Sequence, residues 1–119
     1  VFCEEIVRYQ ITGVIATNTT LSRKGVENSA FAGEAGGLSG QPLFDLSTKT
    51  LSHLKEKLAK HSVTLIGVGG ISSPEQAMAK FDHGADLIQL YSGFIYEGPS
   101  LIYRIVEAYR LRSRRQTKV

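Results

Sequence analysis

Three short stretches of this chain combine hydrogen-bonding side chains with glycine in a way that suits ligand binding: Thr17-Asn18-Thr19, Gly69-Gly70 and Tyr91-Ser92-Gly93. Glycine lets the backbone approach an anion closely, because no Cβ intervenes. Exposed N–H groups beside a helix start add donors and positive potential. Gly69-Gly70 and Tyr91-Ser92-Gly93 therefore form a phosphate-site pattern. For any single glycine the plainer reading, a turn after a strand, is equally good; two successive sites favour the ligand. The glycines match neither the dinucleotide nor the P-loop fingerprint. Gly67-Val68-Gly69-Gly70 lacks the third spaced glycine, and no Gly-Lys-Ser/Thr follows. Asn18 carries two amide donors and one acceptor, which suits a planar ring with alternating N–H and C=O groups. By residue type alone, a turn residue capping its own loop is the favoured reading.

These stretches need elements to position them. Phe2 to Gln10 reads as the end of a helix. Gly13-Val14-Ile15-Ala16-Thr17-Asn18 is an apolar run with a polar C-terminal end, the pattern of a buried parallel strand. Thr19 to Gln41 has no clear periodicity and holds Gly25, Gly33, Gly36, Gly37 and Gly40. A loop of this length is often functional, with flexible filler as the alternative. Leu51, Leu54 and Leu58 then mark a helix, with Leu43 and Leu46 extending the stripe and Lys55, Glu56, Lys57 and Lys60 opposite. Thr64 to Gly70 is a second strand. Ser73-Pro74-Glu75-Gln76 opens a helix through a capping Ser, a first-turn Pro and a capping-box Gln. Ala77, Met78 and Phe81 form its apolar face, and Gly84 is its C-terminal cap. Asp86 to Gly93 is a third strand. Gly98-Pro99 leads into a last helix with the stripe Leu101, Ile102, Ile105, Val106 and Tyr109. The order α-β-α-β-α-β-α predicts an α/β fold with parallel strands alternating with helices. In such folds ligands sit at the C-terminal ends of the strands, where all three stretches fall.

The composition is ordinary for a globular protein, with 42% hydrophobic and 21% charged residues over 119 positions. A complete (β/α)₈ barrel needs about 250 residues, so a barrel reading implies that more than half the fold lies outside this chain. Val1 in place of Met, and a helical pattern from Phe2 onward, lead to the same expectation. The formal charge of +3 is concentrated at the end. Arg110, Arg112, Arg114, Arg115 and Lys118 stand there without an acidic neighbour. That tail reads as a solvated helix end whose cations suit the helix dipole. It lacks the interleaved aromatics of a nucleic-acid surface. The single Cys3 excludes an internal disulfide. His53, His61 and His83 are not at metal-ligand spacing and are expected at the surface. No apolar run reaches the roughly 20 residues of a membrane span.

Four blocks in this order resemble the C-terminal portion of class 2, quinone-dependent dihydroorotate dehydrogenases. They are Ala16-Thr17-Asn18-Thr19-Thr20, Gly36-Gly37-Leu38-Ser39-Gly40-Gln41-Pro42-Leu43, Ile66-Gly67-Val68-Gly69-Gly70-Ile71, and Gln89 through Pro99. The similarity runs from about Gly13 to Tyr109. The resemblance implies a (β/α)₈ TIM barrel with FMN at its mouth, of which residues 1–119 form one partial FMN-binding domain. It implies oxidation of dihydroorotate to orotate in pyrimidine synthesis, with quinone as electron acceptor. Thr17, Gly40, Gly70, Tyr91 and Ser92 fall on FMN-contacting positions, with Gly70 and Tyr91-Ser92 at the phosphate. Asn18 and Thr19 match the pair that hydrogen-bonds the pyrimidine.

In the resembled family, the catalytic serine base, a flavin-contacting lysine and further substrate asparagines lie upstream of this segment. The helices that touch the membrane and shape the quinone tunnel do too. The resemblance thus assigns no catalytic base or metal to this chain, and the isolated fragment is expected to be inactive. The implied location of the full-length protein is the bacterial or mitochondrial inner membrane. Two other readings remain open at this point. One is a phosphate-binding half-barrel without catalysis that self-associates through open sheet edges. The other is a different FMN or phosphosugar barrel enzyme.

Overall fold

A computed structural model describes residues 1–116. The elements are α1 (Phe2–Arg8), β1 (Gly13–Ala16), a 3₁₀ turn (Gln41–Leu43), α2 (Phe44–Lys57), β2 (Thr64–Val68), α3 (Pro74–Asp82), β3 (Leu87–Gln89), α4 (Ser92–Glu97) and α5 (Ser100–Gln116). The strands form one open parallel sheet in the order β1-β2-β3. Ile15 pairs with Ile66, and Ile66 with Leu87, so these three side chains share a row on one face.

The opposite face carries the core. Val14, Ala16 and Leu65 pack there with Ile6 of α1 and with Leu51, Leu54 and Leu58 around α2. A second cluster joins Ile71, Ala77 of α3, and Leu101 and Ile105 of α5. The Ile15–Ile66–Leu87 face is bare by comparison: Ile15 is 57% and Leu87 56% exposed.

Asp86 locks the sheet just before β3. Its N–H donates to the Leu65 carbonyl, and its carboxylate accepts from the Leu65 N–H, both at 2.8 Å. Gly84 takes φ +102° directly after α3, as a C-terminal cap should. Ser73 caps α3 by accepting from the Gln76 N–H at 3.2 Å. The return bond differs from the expected capping box. Gln76 Oε1 accepts from the N–H and the hydroxyl of Ser72, one residue earlier.

Further expectations need correction. The first strand ends at Ala16, not Asn18, and the second at Val68, not Gly70. The third strand is only Leu87–Gln89, and Ser92 and Gly93 begin α4 instead of ending the strand. Gly93 has no room for a side chain, because a Cβ there would run into the Ile71 carbonyl. Leu46 is 49% exposed, while Ser47 and Thr48 are buried. At 100° per residue, the stripe through Leu51, Leu54 and Leu58 continues backward to positions 47 and 48.

On α5, Leu101 and Ile105 are buried, whereas Ile102, Val106 and Tyr109 are exposed. The buried line instead continues toward Arg112, which donates to the Met78 carbonyl at 3.4 Å and pairs with Asp82. Arg112 is therefore a bridge between α5 and α3, not part of a freely solvated tail. Lys118 lies outside the described residues.

Candidate functional site

The strand ends converge. Thr17, Asn18, Thr19, Ser39, Gly40, Gly69, Gly70, Gln89, Tyr91, Ser92 and Gly93, with Leu43, Val68, Ile71 and Leu90, line one cleft of about 270 Å³. All seven residues singled out in the sequence are among them. No lining residue carries a charged side chain, so a bound anion would meet neutral donors only.

Each donor is held by a local reason. Gly69 and Gly70 have φ +110° and +75°, values that residues with a Cβ rarely adopt. Gly70 also has no room for one: a Cβ there would lie 2.5 Å from Phe44 Cα and 2.6 Å from Phe44 N. The turn is thus pressed against the start of α2. The Gly70 N–H has no acceptor among the described residues, although the residue is buried. A buried donor left in this state calls for a ligand or water partner. The N–H groups of Ser92 and Gly93 lie in the first turn of α4, where a helix offers no internal acceptor.

Asn18 Oδ1 accepts from the Thr19 N–H at 2.8 Å. The plainer reading of Asn18 as a turn residue is therefore correct for its oxygen, and its NH₂ group is left to donate elsewhere. Both Asn18 and Thr19 are exposed at the cleft.

The long connection between Thr19 and Gln41 is organised, not filler. Thr20 and Leu38 exchange two backbone hydrogen bonds at 3.0 and 2.7 Å. The Arg23 guanidinium reaches the carbonyls of Thr20, Leu21, Ala32, Glu34 and Gly36 at 2.8–3.5 Å. An arginine has five N–H donors, and here they replace the secondary structure that the loop lacks. Its far end is tied to the cleft: Ser39 Oγ lies 2.8 Å from Ser92 Oγ, and Gln41 Nε2 donates to Ser72 Oγ at 3.0 Å.

Sequence reasoning missed Arg23, Ser39, Ser47 and Lys80. Ser39 lay inside a noted block without a role. Lys80 had a detectable signal, since it falls three residues after Ala77 on the buried face of α3. Its side chain is 0% exposed, and its Nζ donates to Ser47 Oγ at 2.5 Å. Burial pushes its pKa down to about 8, with the Asp45 carboxylate opposing the shift.

The family model described as dihydroorotate dehydrogenase matches residues 2–111. The dihydroorotate dehydrogenase (quinone) of Shewanella oneidensis is 56% identical over 109 residues, which cover 92% of this chain and 32% of that protein. The same enzyme of Shewanella baltica strain OS185 is 55% identical with the same coverage. A solved structure of DHODH from Eimeria tenella in complex with ferulenol superposes with a TM-score of 0.82 at 32% identity, over 89% of this chain and 28% of that one. The ligand-free Eimeria tenella structure gives 0.81 at 33% identity, over 87% of this chain and 28% of that one. The chain spans about a third of the length of the curated relatives it matches. The three-stranded sheet, with helices on one face only, is accordingly a portion of a (β/α)₈ barrel. With its motifs, its strand-end cleft and its fold in agreement, the chain belongs to the dihydroorotate dehydrogenase family.

Proposed function

We propose that this chain supplies the FMN-phosphate cradle and one edge of the pyrimidine site of a quinone-dependent dihydroorotate dehydrogenase. That protein oxidises dihydroorotate to orotate in pyrimidine biosynthesis. The reading is carried by one observation: Thr17, Asn18, Thr19, Gly40, Gly70, Tyr91 and Ser92 meet at a single uncharged cleft, although they come from three strand ends and a loop.

The donor chemistry fits FMN. The buried, acceptor-less Gly70 N–H and the first-turn N–H groups of α4 suit a phosphate, which offers only acceptors. The Ser92 hydroxyl adds a further donor, and Thr17 and Gly40 border the same space. When bound, FMN supplies the hydride acceptor that no side chain here can provide. The protein's task is then to hold the pyrimidine in reach. Asn18 donates its NH₂ to a ring carbonyl, and Thr19 supplies a hydroxyl beside it. Both are positioning groups. In this reading the base that removes the proton comes from outside this chain.

Quinone is the electron acceptor in this reading, and membrane contact belongs to a segment outside the chain. Among the described residues, no helix is long and apolar enough to cross a membrane. The second reading, a self-associating half-barrel, draws on the exposed Ile15 and Leu87.

The test is a chimera in which this chain replaces the matching segment of the Shewanella oneidensis enzyme. It should purify yellow and form orotate. Asn18→Ala should weaken orotate binding roughly tenfold, about 1.4 kcal/mol, with flavin retained. Loss of flavin on Asn18→Ala, or a colourless and inactive chimera, would show that the ligand has been misassigned.

A further inference from the structure

Lys80 plays no part in the reading above, yet it is the largest fully buried side chain among the described residues. A buried ammonium is costly unless it is hydrogen-bonded, so its place in α3 needs a reason. Its Nζ lies 4.8 Å from the Phe44 ring centroid and donates to Ser47 Oγ. An ammonium can only donate. Ser47 must therefore accept from Lys80, and its own proton is forced toward the Gly69 and Phe44 carbonyl oxygens, each 3.0 Å away.

That direction has a consequence one bond further on. A trans peptide is planar, with C=O and N–H pointing opposite ways. Because the Gly69 carbonyl is drawn toward Ser47 on α2, the Gly70 N–H faces away from α2. It is the same N–H that has no acceptor among the described residues. The cleft itself carries no charge, so Lys80, two hydrogen bonds behind its floor, is a cation placed to offset an anion there.

We propose that Lys80 is a positioning residue for the phosphate cradle: through Ser47 it sets the Gly69–Gly70 peptide with its N–H toward the cleft, and it supplies the positive charge that the lining lacks. This rests on the reading of the cleft as the FMN-phosphate site. Burial lowers the Lys80 pKa to about 8, against the pull of the Asp45 carboxylate, which still leaves the ammonium the main form at pH 7.

The experiment compares FMN with riboflavin, which has the same ring but no phosphate. It uses the chimera above, stripped of flavin, with and without Lys80→Met. Methionine fills a similar space beside the Phe44 ring and removes the charge and the donor. The wild-type chimera should prefer FMN, and K80M should reduce that preference roughly tenfold while leaving riboflavin affinity unchanged. A structural role alone would weaken both ligands equally, and that result overturns the proposal, as does an unchanged preference in K80M. If K80M does not fold, the Lys80 Cε NMR signal of the wild-type chimera decides. It should shift on adding FMN and not on adding riboflavin; a signal indifferent to FMN overturns the proposal. A wild-type chimera that does not distinguish the two flavins removes the phosphate reading, and this inference with it.

Discussion

The hydroxyl oxygens of Ser39 and Ser92 lie 2.8 Å apart although 53 positions separate them in the chain. This bond fastens the long loop after β1 to the first turn of α4, across the mouth of the cleft. Neither partner is in the hydrophobic core, so the bond shapes the site more than it supports the fold. Ser39→Ala should cost about 1 kcal/mol of local order and raise amide hydrogen exchange at residues 36–41. Global unfolding should shift by less than about 0.5 kcal/mol. Unchanged exchange at these amides would show that the loop is held elsewhere.

Two glycines with positive φ should respond very differently to alanine. Gly36 has φ +106° and open space around it, whereas Gly70 has φ +75° and Phe44 backbone where its Cβ would go. Gly36→Ala meets only the backbone penalty, about 1 kcal/mol. Gly70→Ala adds displacement of the α2 start and should lose more than about 3 kcal/mol. Urea unfolding of both variants checks this. Equal losses would mean that α2 yields easily at its N-terminus.

Arg23 should matter to the loop and little to the core. Arg23→Ala leaves the carbonyls of Ala32, Glu34 and Gly36 without the donor they share. Limited proteolysis between residues 21 and 37 should accelerate severalfold, and the melting temperature should hardly move. Arg23→Lys should rescue only partly, because an ammonium cannot span five carbonyls with a planar fork. Full protection by lysine would argue against the fork geometry.

Lys80 links stability to pH. Burial lowers its folded pKa to about 8 from the ordinary 10.5. Between those values the unfolded chain still binds a proton that the folded chain has released. Stability therefore rises as pH increases from about 8 to about 10.5, by on the order of 3 kcal/mol at most. Below pH 8 none of that gain is present. Other groups also titrate in alkali, so the informative quantity is the difference between the wild type and K80M. It should shift in favour of the wild type across this range, and a pH-independent difference would contradict the assignment.

How much of this was readable beforehand divides along physical lines. The strands, the Ser73-Pro74 start of α3 and the Gly84 cap were legible because each depends on a few neighbouring residues. The seven residues carried over from the family resemblance line one cleft; parallel topology explains this for those at strand ends, but not for Gly40, which the long loop brings in. The errors lie where burial depends on partners distant in sequence. Leu46 looked like core by residue type, but the angular register of α2 turns Ser47 and Thr48 inward instead. Ile102, Val106 and Tyr109 fit an apolar stripe on α5, yet it is Leu101 and Ile105 that are buried, while Tyr109 packs half-exposed against Phe81 of α3. Lys80 left a trace, three residues after Ala77 on the inward face of α3, but nothing near it in sequence announces Ser47, 33 positions away. Arg23 was overlooked because a side chain that satisfies backbone carbonyls leaves no periodic trace.

The row of Ile15, Ile66 and Leu87 bears on how the isolated chain should behave on dilution. With all its helices on the other side of the sheet, this row can be dried only by contact with another surface, and a second copy is the one always present in a pure sample. Pairing of two copies through this row would couple folding to association by mass action. The isolated chain should melt at a temperature that climbs with protein concentration, and charged residues at positions 15 and 87 should abolish the climb.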